Sequence, residues 1–266
     1  SLMNSVLTSL RSPHIGRVKA LHTSKGRKSA NEFLAEGPQA VEAASKSKRF
    51  KITQLYVTET ALTQFSKLIS SDPIVVSEKV MAAMSSVENS QGILATCTKD
   101  ALPELNKLTA ESKLLIYCHE INDPGNLGTI IRSAHALGAQ GLILSPGSVD
   151  PFSPKVVRAS AGSLWHLPFI VNIEFLELLN SAKEVEMKSI AMAGSAKIAL
   201  NDFIKDIPKK SVFIFGNEAH GLPTEISKKC DHQVRIPMKA GAESLNLATS
   251  AALVIYAASN ALSPIE

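Results

Sequence analysis

The sequence predicts an α/β protein: a carboxyl-terminal domain built on a parallel sheet, preceded by a smaller amino-terminal α/β domain. Three observations carry this. Short β-rich runs alternate with helical patterns along the whole chain, which is the signature of parallel sheets. Lys113–Cys118 is a continuous apolar run rather than an alternating one, as expected of a strand covered on both faces. A polar stretch, 99–112, contains Pro103, carries no strand signal and separates the two sets of elements. The expected domains are therefore 1–98, a linker at 99–112, and 113–266.

The elements follow in order. Glu32–Glu36 reads as a strand, and Pro38 opens a helix to about Ser45, since proline is favoured in a first turn. Ile52–Val57 is β-rich, then come a helix over Leu62–Ile69, a short strand over Ile74–Val76, a helix over Glu78–Met84 and a strand over Gln91–Cys97. After strand Lys113–Cys118, the residues Leu127, Ile130, Ile131, Ala134 and Leu137 lie at helical spacing, and Gly138 stands where a terminating glycine belongs. Gly141–Leu144, Ile190–Ala193, Val212–Phe215 and Gln233–Ile236 read as strands. The last helix is expected from about Ser244 to Leu262.

Composition excludes several classes of function. Apolar residues make up 45% of the 266, so a packed core is affordable and global disorder is not expected. No apolar run approaches the roughly 18 residues that span a membrane. Cys97, Cys118 and Cys230 are odd in number, far apart and without C-x-x-C spacing, which argues against disulfides and a zinc site and points to a reducing cytoplasm. Ser1 and Leu2 precede a methionine and read as an expression remnant.

The net charge of +4 resides entirely in residues 1–112, because 113–266 carry 14 basic and 14 acidic residues. The first 31 residues hold Arg11, Arg17, Lys19, Lys25, Arg27 and Lys28 and no acid. Such a start suits a nucleic-acid arm, and also a mitochondrial transit peptide. Lys46, Lys48, Arg49 and Lys51 form a second basic cluster. Aromatics are only 5%, which disfavours a reader that stacks single-stranded bases.

Parallel sheets bind ligands at the carboxyl ends of their strands. Three such ends carry unusual residues: Asn122-Asp123-Pro124-Gly125-Asn126 through Arg132, Phe215-Gly216-Asn217-Glu218-Ala219-His220-Gly221-Leu222-Pro223, and Ile236-Pro237-Met238 with Glu243-Ser244-Leu245-Asn246. Each has an ordinary reading. Gly125-x-x-Gly128 is a turn into a helix, and it is not the G-x-G-x-x-G of dinucleotide sites. Arg132 is a surface arginine, Glu218 a first-turn acid, Ser244 a plain N-cap.

Taken together and in this order, the three segments resemble the motifs of the SpoU-type (TrmH-like) RNA ribose methyltransferases of the SPOUT superfamily. Asp150 to Gly162 is similar to that family's connecting segment, and Phe33-Leu34-Ala35-Glu36-Gly37 to part of its amino-terminal substrate-binding domain. The resemblance spans almost the whole chain and assigns the basic start to the domain. It implies a trefoil knot near the carboxyl end, which general chain-topology rules would not suggest.

The resemblance also implies a reaction, in which a ribose 2′-oxygen attacks the methyl group of S-adenosylmethionine. By position, the cofactor site falls on Gly216, Ile236 and Leu245, with Ala193, Gly194, Asn217 and Met238 around it. Arg132 matches the catalytic arginine. A guanidinium holds its proton, so its role is to stabilise the developing oxyanion and grip the adjacent phosphate. Asn126, Glu218, Ser244 and Asn246 match the remaining polar motif positions and are expected to position Arg132, the loops and the ribose. RNA contacts are expected from Arg11, Arg17, Lys25, Arg27 and Lys28, and no metal is implied. Structured RNA is the expected partner. Large-subunit ribosomal RNA is favoured by the extra amino-terminal domain; transfer RNA, or a non-catalytic RNA-binding role on the same fold, are the alternatives. The family dimerises through its knotted domain. In the last helix Leu245, Ala248, Ala252, Ile255 and Ser259 share one face that suits either a homodimer or burial within the chain.

Overall fold

The computed structural model describes residues 5–69 and 72–264, so Ser1 and Leu2 lie outside the described residues. By its contacts the chain divides into two units, Ser1–Ala101 with Asp150–His166, and Leu102–Val149 with Leu167–Glu266. Segment Asp150–His166, which the sequence places inside the carboxyl-terminal domain, thus packs with the amino-terminal unit.

The first unit is built on β1 (Glu32–Glu36), β2 (Ile52–Val57), β3 (Ile74–Val75) and β4 (Ile93–Thr98), in the order β1-β4-β2-β3. β4 runs antiparallel to both neighbours, and β2 pairs in parallel with β3. Successive strand residues face opposite sides. Leu34 and Tyr56 therefore join Ile15, Val18, Val80, Met81 and Met84, from helices Pro13–Ala20 and Glu78–Met84, in a buried cluster. Phe33 points the other way, into a cluster with Phe50, Phe152 and Trp165 whose ring centroids lie 4.9 to 5.6 Å from it. Two of those rings belong to the returning segment, and Trp165 Nε1 donates to the Phe50 carbonyl at 3.2 Å. The return also needs Gly162. Its φ is +89°, and a Cβ there would sit 3.1 Å from Ala43 Cβ and 3.2 Å from the Gln39 carbonyl oxygen.

The second unit carries β5 (Leu114–Cys118), β6 (Gly141–Leu144), β7 (Phe169–Ile170), β8 (Lys188–Met192), β9 (Ile198–Ala199), β10 (Ser211–Phe215) and β11 (His232–Arg235). Their order is β7-β6-β5-β10-β8-β11-β9, and every pairing is parallel. β5, β6 and β10 are buried at every residue, which is why they read as unbroken apolar runs. Leu115, Tyr117, Val212 and Ile214 pack with Leu105, Leu108, Leu178 and Leu179 of helices Leu105–Glu111 and Phe175–Glu184. Helices Pro124–Leu137 and Leu247–Leu262 pack against each other.

Several expectations are corrected. The stretch read as a linker contains helix Leu105–Glu111, anchored by Leu105 and Leu108 in the core of the second unit. The helix expected over Leu62–Ile69 is instead Glu59–Gln64, opened by the Thr58 hydroxyl accepting from Ala61 N–H, followed by a 3-10 turn at Ser66–Leu68. The last helix starts at Leu247, because Asn246 and not Ser244 is its cap. On that helix Ala248, Ile255 and Ser259 are buried within the chain, so of the two uses its face suits, burial within the chain takes up most of it. The large exposed apolar side chains of that helix are Leu253 and Tyr256.

Candidate active site

β5, β10, β8 and β11 are consecutive neighbours in the sheet, so the loops leaving their carboxyl ends lie side by side. Three of these ends, those of β8, β10 and β11, together with the start of the last helix, frame a cleft of about 450 Å³. Gly216, Asn217, Ile236, Met238, Leu245, Ala193 and Gly194, the seven residues expected around a cofactor, all line it. Met238 and Leu245 are exposed apolar side chains at its edge, and Phe215, Leu222 and Val234 supply further apolar lining.

The loop after β10 folds back on itself. Asn217 and Gly221 exchange backbone hydrogen bonds of 3.0 and 2.9 Å. A Cβ at Gly216 would stand 2.1 Å from both Gly221 C and Leu222 N, so this closure admits only glycine. The Asn217 side chain fixes the loop: its Oδ1 accepts from the N–H groups of Ala219 and His220, and its Nδ2 donates to the Glu120 carbonyl at 2.7 Å.

Glu218 reaches the loop after β5. Its carboxylate accepts from Asn122 N–H at 3.0 and 3.2 Å and from Asp123 N–H at 3.0 Å. Asp123 in turn caps helix Pro124–Leu137 by accepting from Asn126 N–H at 3.0 Å. The two side chains at 217 and 218 thus hold three backbone groups just ahead of the helix that carries Arg132. At the far edge Asn246 caps the last helix through Thr249 N–H and donates from Nδ2 to Asn126 Oδ1 at 3.1 Å.

Of the expected catalytic residues, Glu218 and Ser244 line the cleft, whereas Asn126, Arg132 and Asn246 do not. Arg132 is exposed on the helix surface. Cys118, at the end of β5, is no nucleophile: burial, reinforced by the Glu218 charge, pushes its thiol up to about 12. Sequence reasoning missed His220 as a cleft residue, although it stands inside the motif already singled out. It also missed Asp123 as the cap, which the Asp-Pro pair signals.

In the first unit Arg11, Arg17, Lys25 and Lys28 are exposed, and Lys46, Lys48 and Lys51 likewise. Arg27 is a correction. It is 3% exposed, with Nε and Nη2 donating to Asp150 Oδ2 at 3.1 and 2.9 Å and Nη1 to the Leu21 carbonyl at 3.1 Å. Each nitrogen of its guanidinium donates within the protein and the side chain is buried, which sets it apart from the exposed basic residues expected to meet phosphate.

Residues 113–256 match the SpoU rRNA Methylase family, and residues 12–95 match the MRM3-like substrate binding domain. The chain belongs to the SpoU rRNA methylase family. Among its relatives, an uncharacterised tRNA/rRNA methyltransferase of Synechocystis is 33% identical, covering 95% of this chain and 92% of its own length. The 23S rRNA (guanosine(2553)-2′-O)-methyltransferase of Bacillus subtilis is 32% identical, covering 90% of this chain and 92% of its own. The AdoMet-bound rRNA methyltransferase of Sinorhizobium meliloti superposes with a TM-score of 0.81 at 28% identity, over 96% of this chain and 97% of that one. The SpoU fold with an amino-terminal substrate-binding domain is thus the fold of this chain. Among the described residues no helix is long and apolar enough to cross a membrane, and no cluster of His, Cys, Asp or Glu could hold a metal.

Proposed function

We propose that this SpoU methylase transfers the methyl group of S-adenosylmethionine to a ribose 2′-hydroxyl of large-subunit ribosomal RNA. The observation that carries the reading is the cleft: apolar side chains and open backbone at adjacent strand ends, beside the helix of Arg132. Between Pro237 and Leu245 the described residues form one backbone hydrogen bond, Ala242 N–H to the Lys239 carbonyl at 3.2 Å. Of that loop Met238, Ser244 and Leu245 line the cleft, and their peptide groups make no backbone hydrogen bond. Met238, Leu245 and Ile236 suit a flat, weakly polar ring such as adenine, and the exposed Gly194 leaves open space where a side chain would intrude. These residues fit S-adenosylmethionine, which supplies an electrophilic methyl group when bound.

The protein's own part is positioning and electrostatics. Asn217 and Glu218 fix the approach to helix Pro124–Leu137, and Asn126 and Asn246 join its first turn to the last helix. Arg132 projects from this braced helix and stabilises negative charge developing on the 2′-oxygen. Arg11, Arg17, Lys25 and Lys28, on the substrate-binding unit, capture RNA phosphates. The ribosomal substrate is supported by the Bacillus subtilis relative, whose name gives a 2′-O-methylated guanosine of 23S rRNA. The exposed Leu253 and Tyr256 support a homodimer through the last helix. Three free, buried cysteines suit a reducing cytoplasm. Radiolabelled methyl transfer from S-adenosylmethionine to unmodified 23S rRNA, with transfer RNA alongside, tests the reading. Label in the 23S rRNA is expected; label confined to transfer RNA, or to neither, contradicts it.

A further inference from the structure

Methylation of a neutral hydroxyl releases one proton, and the residues described so far do not take it. Arg132 carries donors only. The charged and titratable side chains lining the cleft are Glu218, His220 and Arg235. Arg235 is also a donor, and its Nη1 is spent on the Lys197 carbonyl at 3.0 Å. Glu218 is a base by type, but both its oxygens accept backbone N–H groups of Asn122 and Asp123. His220 remains. Its backbone is pinned by Asn217 Oδ1, which fixes where the side chain starts. Its imidazole is exposed and makes no hydrogen bond among the described residues.

We infer that His220 is the proton acceptor of the methyl transfer. The inference rests on the proposed reaction and adds the missing partner to it. The 2′-oxygen forms a bond to the methyl carbon. The methyl–sulfur bond breaks, and its electron pair stays on sulfur, leaving a neutral thioether. The 2′-hydroxyl proton passes to an imidazole nitrogen of His220 and then to solvent. Arg132 and His220 thus divide the work, one holding negative charge on oxygen and the other removing the proton.

The test is single-turnover methyl transfer by the full chain and by His220→Gln, from about pH 5 to 9, the range that brackets histidine titration. Calorimetry with S-adenosylmethionine is run on both proteins. Wild type should slow as the pH falls, because a protonated imidazole cannot accept. His220→Gln should be slower at neutral pH by about a hundredfold or more, lose the acid limb, and bind S-adenosylmethionine as wild type does. Added imidazole should restore part of the rate to His220→Ala. A His220→Gln rate within about threefold of wild type, with the same acid limb, overturns the inference. So does a loss of cofactor affinity with an unchanged pH profile, which would make His220 a binding residue. If wild type itself leaves ribose unmethylated, it is the proposed reaction that fails, and the two failures are told apart by the wild-type assay alone.

Discussion

Asn246 donates from Nδ2 to Asn126 Oδ1 at 3.1 Å, while its own Oδ1 caps the last helix through Thr249. One side chain thereby fixes the start of one helix and ties it to the first turn of another, the helix that carries Arg132. Asn246→Ala is expected to cost about 1 kcal/mol for the cap and a further ~0.5–1 for the cross-link. In a double-mutant cycle with Asn126→Ala, urea denaturation should show only the second part as coupling. A coupling indistinguishable from zero would mean the bond does not brace the site.

The distribution of Arg132 and the cleft residues predicts a split phenotype. Arg132 does not line the cleft, so Arg132→Ala should bind S-adenosylmethionine as wild type does. It should lose about a hundred- to a thousandfold in methyl transfer, as when one aimed donor is removed. Calorimetry and radiolabel transfer on one preparation check both halves. Wild-type turnover by the variant would remove Arg132 from the mechanism.

How much of this was legible beforehand depends on how local the signal is. β5, β6 and β10 announce themselves, because burial on both faces leaves an unbroken apolar run. Helix Leu105–Glu111 does not, since seven residues with two anchoring leucines look like a polar connector next to Pro103. Helix Phe175–Glu184 was readable in principle, as Phe175, Leu178, Leu179 and Ala182 keep helical spacing. The fate of Arg27 was not, because its partner Asp150 lies 123 positions away. Residues in the cleft were named through the motifs and their resemblance; physical patterning alone marked the strand ends and no ligand. The same resemblance is the sole source of the expected knot.

The burial of Arg27 separates stability from RNA capture among neighbouring basic residues. Arg27→Ala leaves Asp150 without its partner and is expected to destabilise the first unit by about 2–4 kcal/mol, at the lower end because Asp150 is partly exposed. Neutralising Arg17, Lys25 and Lys28 together should leave the melting temperature nearly unchanged. That triple variant should lower the slope of log affinity for RNA against log salt by up to about 2. Melting curves and filter binding at several salt concentrations distinguish the two. An unchanged salt slope in the triple variant would place the RNA contacts elsewhere.

Point variants suit this question better than a fragment covering 113–266. Such a fragment would carry Asp150–His166 stripped of the aromatic cluster it forms with Phe33 and Phe50.

The buried thiol of Cys118 predicts alkaline sensitivity. It stays protonated in the folded chain up to about 12, whereas its ordinary value is 9.0. Between these values the unfolded chain gives up a proton that the folded chain retains, so unfolding is favoured as the pH rises. The stabilisation is complete below pH 9.0 and is lost toward about 12, by at most ~1.4 kcal/mol per pH unit for this group. The stability gap between wild type and Cys118→Ala should therefore shrink from about pH 8 to about pH 10.5. A gap that stays constant in denaturant titrations at both values contradicts this.

The central claim concerns where the methyl group goes, and a hydrolysis ladder reads this directly. Alkaline cleavage of RNA requires a free 2′-hydroxyl, so a methylated ribose leaves a gap at one position. Unmodified 23S rRNA treated with the full chain and S-adenosylmethionine should show a single new gap, absent without cofactor and absent with Arg132→Ala. Methyl incorporation accompanied by an unbroken ladder would place the group on a base and contradict the account.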